Sequence, residues 1–199
     1  LQDAVRRESE ALDGYRFDDA AQAVYKFYWN EFCDWYIELA KEDLHCGDAK
    51  RKNITLSTLL TVLRESMKLL HPFMPYISEE IYQTIPGVEG ALIIAPFPEY
   101  DEEKRDTAIE ARLNAVMEIV QAIRNAVSTF TIPKGETVRA LVRYRNPVLA
   151  SLVEDYRKDI MSLSRAGSLD TIEGGEREDG TFAKVIEDGE VNVMLKGII

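Results

Sequence analysis

Cations are scarce in this sequence: 24 Lys and Arg stand against 35 Asp and Glu, a formal net charge of −11 over 199 residues. Phosphate contacts normally come from Lys and Arg, so a chain that grips nucleic acid over its whole surface is excluded, and any such binding must use a local patch. Cysteine is almost missing too. Cys33 and Cys46 lack CxxC spacing, which favours reduced thiols in a cytosolic protein over a disulfide framework. Together with His45 and His71 they are the only soft-metal ligands. Their spacing matches no zinc pattern, so no metal site is expected. No apolar run is long enough to span a membrane, and Leu1-Gln2-Asp3-Ala4 has neither the basic flank nor the apolar stretch of a signal peptide. The missing initiator Met points either to an excised fragment or to N-terminal processing. The motifs GxxxxGK[ST], GxGxxG and GxSxG do not occur. The adjacent Glu79 and Glu80 face different ways on a helix and read as solvated charges. A Cys/His nucleophilic pair would need a convergence in space that spacing does not supply. No catalytic residue is therefore assigned.

What is present is a well-patterned globular chain, 46% hydrophobic and 30% charged, of one or two domains. From about Phe17 to Lys41 the apolar positions Ala21, Val24, Tyr28, Phe32, Trp35 and Leu39 recur every three or four residues and form one helix face. Asp19, Gln22, Lys26, Asn30, Asp34, Glu38 and Lys41 mark the opposite, polar arc. Leu56, Leu59, Leu60, Leu63, Met67 and Leu70 predict a second helix ending at Pro72. Pro75 suits the first turn of a third, carrying Ile77, Ile81 and Ile85 and stopped by Pro86-Gly87. Pro96-Phe97-Pro98 forces an extended crossing, after which Leu113, Val116, Val120, Ile123 and Val127 mark a fourth helix, closed by Pro133 and Gly135. The expected fold is mainly α: an antiparallel four-helix-type bundle within residues 1–135, then a small α/β unit over 136–199.

In that second unit the period changes to two. Val138, Ala140, Val142 and Tyr144 alternate with Arg139, Leu141, Arg143 and Arg145, which predicts a strand with an arginine-rich face. Leu149, Leu152, Val153, Tyr156, Ile160 and Leu163 follow as a helix, Ser168 to Glu173 as a strand, and Asp188-Gly189 as a tight turn between two further strands. Charge is also uneven. Residues 111–171 hold nine Lys and Arg against six Asp and Glu, so this stretch is locally cationic.

Two constellations carry alternative readings. Tyr25, Trp29 and Tyr36 share a flank beside the core arc of the first helix, where they serve either as packing against another helix or as a stacking surface for unpaired bases. Lys26 and Asn30, one turn apart, and Arg16 near the helix start supply the polar contacts in the second reading. Arg139, Arg143 and Arg145 either meet phosphate or face water.

Longer strings are more specific. Trp29-Asn30-Glu31-Phe32-Cys33-Asp34-Trp35-Tyr36-Ile37-Glu38-Leu39-Ala40-Lys41 resembles the first long helix of the anticodon-binding domain in the valyl-tRNA synthetase family. His71-Pro72-Phe73-Met74-Pro75-Tyr76-Ile77-Ser78-Glu79-Glu80-Ile81-Tyr82 resembles a string shared by the class I synthetases for valine, isoleucine, leucine and methionine. Leu92 to Pro98 resembles the valyl linker ending in Pro-x-Pro, and Ala122-Ile123-Arg124-Asn125 with Ile132-Pro133-Lys134-Gly135 resembles its next helix and turn. The resemblance covers about Leu12 to Gly135 and is looser beyond. Val127 and Glu136 depart from it, standing where the family usually has an arginine and a lysine.

The resemblance implies a cytoplasmic, class I valine-tRNA ligase whose catalytic and editing domains precede this region. ATP and magnesium would act in that absent catalytic part, and a coiled coil would follow residue 199. It implies no cofactor for this region and no HIGH-like or KMSKS-like motif occurs in it. The implied partners are the anticodon region of valine tRNA and the other domains of the same polypeptide, with neither membrane nor DNA. The implied tRNA-binding residues are Arg16, Tyr25, Lys26, Trp29, Asn30, Arg124 and Lys134. Three alternatives stay open: the equivalent domain of an isoleucyl- or leucyl-type synthetase, a helical protein-interaction module suited to the acidic charge, and a stand-alone enzyme.

Overall fold

Ahead of the aromatic helix, Leu1, Ala4, Val5, Ala11 and Leu12 follow helical spacing, but the position between them is Glu8. The computed structural model, which describes residues 1–175 and 180–195, makes this segment helix α1, Gln2–Asp13, with Ala4, Val5, Glu8 and Ala11 all buried. Periodicity alone does not reveal α1, because a carboxylate interrupts its apolar stripe. A short turn follows, in which Tyr15 takes a φ of 56° and the Arg16 amide donates to the Ala11 carbonyl at 2.8 Å.

The aromatic helix then runs unbroken through three stretches: α2, Phe17–Tyr25; a π-helix, Lys26–Tyr36; and α3, Ile37–His45. Plain α-helical spacing predicts Tyr28 and Leu39 in the core, whereas the buried positions are Ala20, Val24, Phe27, Phe32, Trp35 and Ala40. The step of five from Phe27 to Phe32, inside the π-helix, is the signature of the wider turn, since each π turn uses more residues than an α turn. The aromatics exploit this geometry: Phe32 lies against Tyr28 at 6.0 Å between centroids and against Tyr36 at 6.1 Å.

Helix α4, Ala49–Leu70, starts on Asp48, whose carboxylate accepts from the Lys50 and Arg51 amides at 2.9 and 3.2 Å. Its inner face is Thr55, Ser66, Met67 and Leu69, while Leu56 is exposed. Helix α5, Pro75–Gln83, has proline in its first turn as expected, but buries Ser78 and Tyr82 and turns Ile77 outward. Two apolar clusters hold these helices. Ala4, Val5, Val24, Phe27, Phe32 and Leu69 form one, and Met67, Tyr82, Ile85 and Leu92 the other.

The chain divides into two compact units, Leu1–Arg105 and Asp106–Ile199. Helix α6, Thr107–Thr129, capped by Asp106, falls in the second, although its sequence stripe reads equally well as a fourth bundle helix and places the boundary near Gly135. An amphipathic stripe says that a helix is covered without saying by what. Here Val116, Ile119, Val120, Ile123 and Ala126 are buried, and α6 packs with the strands and helices of its own unit.

Those are β1, Val138–Tyr144; α7, Pro147–Asp155; α8, Arg157–Ser164; β2, Ala166–Glu173; β3, Thr181–Ile186; and β4, Gly189–Met194. The helix expected between Leu149 and Leu163 is thus two helices, broken at Tyr156. The sheet order is β2-β1-β4-β3, with β1 parallel to β2 and antiparallel to β4. The β3–β4 turn is centred on Glu187-Asp188, one residue before the expected pair, with Asp188 at a φ of 60°. Gly189 begins β4 instead. A Cβ there would stand 2.4 Å from the Arg143 carbonyl oxygen, so the glycine answers a close approach of backbone. No helix among the described residues is long and apolar enough to cross a membrane.

Candidate nucleic-acid interface

In the first unit the predicted aromatic flank splits. Tyr25 and Trp29 lie on the surface, 59% and 53% exposed, with ring planes 3° from parallel and centroids 6.1 Å apart. Tyr36 instead packs beside the first apolar cluster, because the π turns rotate the helix less per residue than α spacing assumes. Burial pushes its hydroxyl up from the ordinary value, against a hydrogen bond with Thr58 that lowers it. Packing therefore accounts for Tyr36, Phe27 and Phe32. It leaves Tyr25 and Trp29 unexplained.

Lys26 and Asn30 are exposed beside that ring pair, as their polar stripe predicts. Arg16 is held back over Gly14, its Nε 3.1 Å from Asp19 and its Nη2 3.4 Å from the Glu10 carbonyl. A Cβ at Gly14 would stand 2.3 Å from the Arg16 guanidinium, so glycine leaves room for this pose. A groove of about 670 Å³ is lined by Arg7, Glu10, Arg16, Asp19, Tyr25 and Lys26, among others. Of the three cations there, Arg16 is paired with Asp19 and Arg7 with Asp3. Arg7, 2.6 Å from Asp3, belongs to this groove and escapes sequence reading for the same reason that α1 does.

The second unit holds the other predicted contacts. Arg124 is exposed on α6 but donates from Nε to the Leu163 carbonyl at 2.8 Å, so part of its guanidinium is spent on the fold. Lys134 is exposed on the turn after α6, a turn secured by Arg165, which donates to the carbonyls of Pro133 and Glu136. Val127, where the family pattern has a cation, is buried. The arginine face of β1 does not act as a unit. Arg143 is 8% exposed and donates to the Gly174 carbonyl at 3.0 Å, Arg139 sits 3.4 Å from Asp170, and Arg145 is exposed. Strand alternation counts faces correctly but does not say which face is covered.

The groups considered for metal or nucleophilic chemistry lie in ordinary surroundings. Burial, with Asp34 close by, pushes the Cys33 thiol up from its ordinary value, the wrong direction for a nucleophile. Cys46 Sγ donates to the Asp43 carbonyl at 2.9 Å. His71 Nδ1 lies 2.9 Å from Ser78 Oγ and ties the end of α4 to α5. No group of three or more His, Cys, Asp or Glu side chains that could hold a metal ion occurs among the described residues.

Comparison with known proteins bears on the same elements. The family model described as the anticodon-binding domain of tRNA ligase matches residues 1–142. The valine–tRNA ligase of Geobacter sulfurreducens is 38% identical over the whole of this chain, which spans 23% of that protein. The ligases of Syntrophotalea carbinolica and Bacillus licheniformis are 34% and 31% identical, again over the whole chain and over 22% and 23% of their own lengths. The chain therefore spans less than a quarter of these relatives. The matched span runs from α1 into β1 and contains the exposed ring pair, its groove and the α6 turn, so the chain belongs to the family of anticodon-binding domains of tRNA ligases.

Proposed function

We propose that this chain recognises the anticodon region of valine tRNA as one part of a cytoplasmic valine–tRNA ligase. The observation that carries this reading is the parallel, half-exposed Tyr25–Trp29 pair bordered by Lys26 and Asn30, in a chain whose relatives named above are all valine–tRNA ligases. Rings free of the core offer faces to unpaired bases, at about 1–3 kcal/mol per stacked base. Lys26 and Arg16 meet phosphate, and the Asn30 amide meets base edges, which a lysine does not discriminate. Arg124 and Lys134 add cationic contacts from the second unit. Magnesium and ATP would act in the rest of the ligase, as the family resemblance implies. This chain's part is recognition, which positions the tRNA for chemistry carried out elsewhere in the polypeptide.

A titration of labelled valine tRNA at 50 and 200 mM salt separates this reading from a protein-interaction module. Binding through several phosphates should weaken by about tenfold or more across that range, and affinity indifferent to salt would reject it. Mixed with ATP, valine and tRNA, the chain alone should form no valyl-tRNA. The variant Lys26→Ala/Asn30→Ala should keep its stability within about 0.5 kcal/mol, because both side chains are at the surface. It should bind valine tRNA more weakly, and Asn30→Ala alone should discriminate less between anticodon variants. Unchanged affinity in the folded double variant would remove this helix from the interface.

A further inference from the structure

A second set of exposed apolar side chains in the first unit belongs to other elements than the ring pair. Met74, Tyr76 and Ile77 at the start of α5 are 52%, 91% and 49% exposed, and Ile93, Ile94 and Phe97 are 75%, 79% and 40% exposed. The two groups belong to elements that are tied together. Glu79 of α5 accepts from the Leu92 amide at 2.9 Å, and Gln83 donates to the Gly90 carbonyl at 2.9 Å. The inner sides of both elements are fixed by the core. Ser78 and Tyr82 point α5 inward, and Leu92, 3% exposed, anchors the 3-10 turn Leu92–Ile94. With Leu92 pointing inward, Ile93 and Ile94 are left at the surface, so their exposure is built into the fold.

Charge narrows what covers this face. No Lys or Arg occurs from Leu69 to Glu103, whereas Glu79, Glu80, Glu89, Glu99, Asp101, Glu102 and Glu103 do. The cations at either end are turned to their neighbours, Lys68 to Glu65 at 3.0 Å and Lys104 to Asp101 at 2.8 Å. A surface of this kind repels phosphate and suits an apolar protein surface with a cationic rim. More than three quarters of the length of the valine–tRNA ligases named above lies outside the segment that aligns with this chain.

We infer that the apolar face formed by the start of α5 and the Ile93–Ile94 turn docks the remaining, larger part of a valine–tRNA ligase, through an apolar surface rimmed by Lys and Arg. The inference rests on reading the chain as part of such a ligase. It assigns two parts of the first unit different partners: the Tyr25–Trp29 pair with Lys26 and Asn30 meets RNA, and the acid-rimmed apolar residues meet protein.

The test compares the chain alone with a full-length chimera, the Geobacter sulfurreducens ligase carrying this chain in place of the segment with which it aligns. Amides of residues 74–97 should exchange hydrogen at least tenfold more slowly in the chimera. Ile77→Lys/Ile94→Lys should abolish that slowing and lower the chimera's kcat/KM for tRNA charging by more than tenfold. The same variant of the chain alone should keep its melting temperature and its affinity for valine tRNA. A milder Ile77→Ser/Ile94→Ser chimera, read by exchange, keeps the test decisive if the lysines prevent folding. Equal exchange in chain and chimera would overturn the inference. So would slowing in the chain alone that grows with its concentration, which assigns the face to a second copy, or slowing that requires tRNA. If the slowing stands while the chain has no affinity for tRNA, docking holds and the RNA reading fails.

Discussion

Glu8→Leu should stabilise the protein by about 3–5 kcal/mol at pH 9 and flatten a dependence of stability on pH that the parent chain shows between about pH 4.5 and 8. Glu8 is 0% exposed on α1, and neither carboxylate oxygen has a hydrogen-bond partner among the described residues. Burial pushes its carboxyl up from 4.5 to about 8. Between those values the folded protein holds a proton that the unfolded chain has released. Stability is therefore full below the unfolded value and falls as pH rises through the folded one. Leucine fills a similar volume without a buried polar group to satisfy. Glu8→Gln should also flatten the pH dependence, yet gain less stability, because its amide remains buried. Asp101 and Glu154 do not confuse the measurement. Hydrogen bonds from Lys104 and Arg157 hold their carboxyls below the ordinary range, so their contributions are lost as pH falls, on the acid side of this window. Urea unfolding at pH 5.5, 7 and 9 would decide the matter, and equal pH slopes for the parent and Glu8→Leu would dismiss it.

Trp35→Ala should cost about 3–5 kcal/mol, the usual range for truncating a buried large aromatic. Trp35 is 7% exposed, at the inner side of the last π turn, while Trp29 is 53% exposed at the outer side of the first. The chain has two tryptophans, and they divide stability from binding. Trp29→Ala should change stability by less than about 1 kcal/mol and weaken valine tRNA binding by the loss of a stacking face. Trp35→Ala should leave the affinity of the remaining folded fraction intact while lowering the urea midpoint. Fluorescence gives a second reading: in Trp35→Ala, the surviving Trp29 emission should be readily quenched by acrylamide and should respond to added RNA. A loss of stability below about 1 kcal/mol in Trp35→Ala would contradict the burial of this ring.

Most elements follow from local chemistry. Pro75 opens α5, and the period of two from Val138 to Tyr144 is β1. The Val116, Val120, Ile123 and Val127 stripe is the buried face of α6. The candidate site was half legible. Lys26 and Asn30 are exposed because they oppose the apolar arc, and Trp35 is buried because it lies on it. Tyr36 and Tyr25 could not be told apart by spacing, since that required knowing that the helix widens at Lys26.

The sequence by itself determined where most of the helices and strands lie, which residues carry charge, and that the apolar stripes must be covered, because backbone periodicity and side-chain solvation are local properties. Only the tertiary structure decided which surface covers each stripe. It placed α6 with the sheet unit, buried Glu8 inside an apolar stripe, took Arg143 out of solvent and left Ile77 in it. Each of these depends on the shape of a distant segment. Burial is a property of two surfaces, and a periodic pattern describes one.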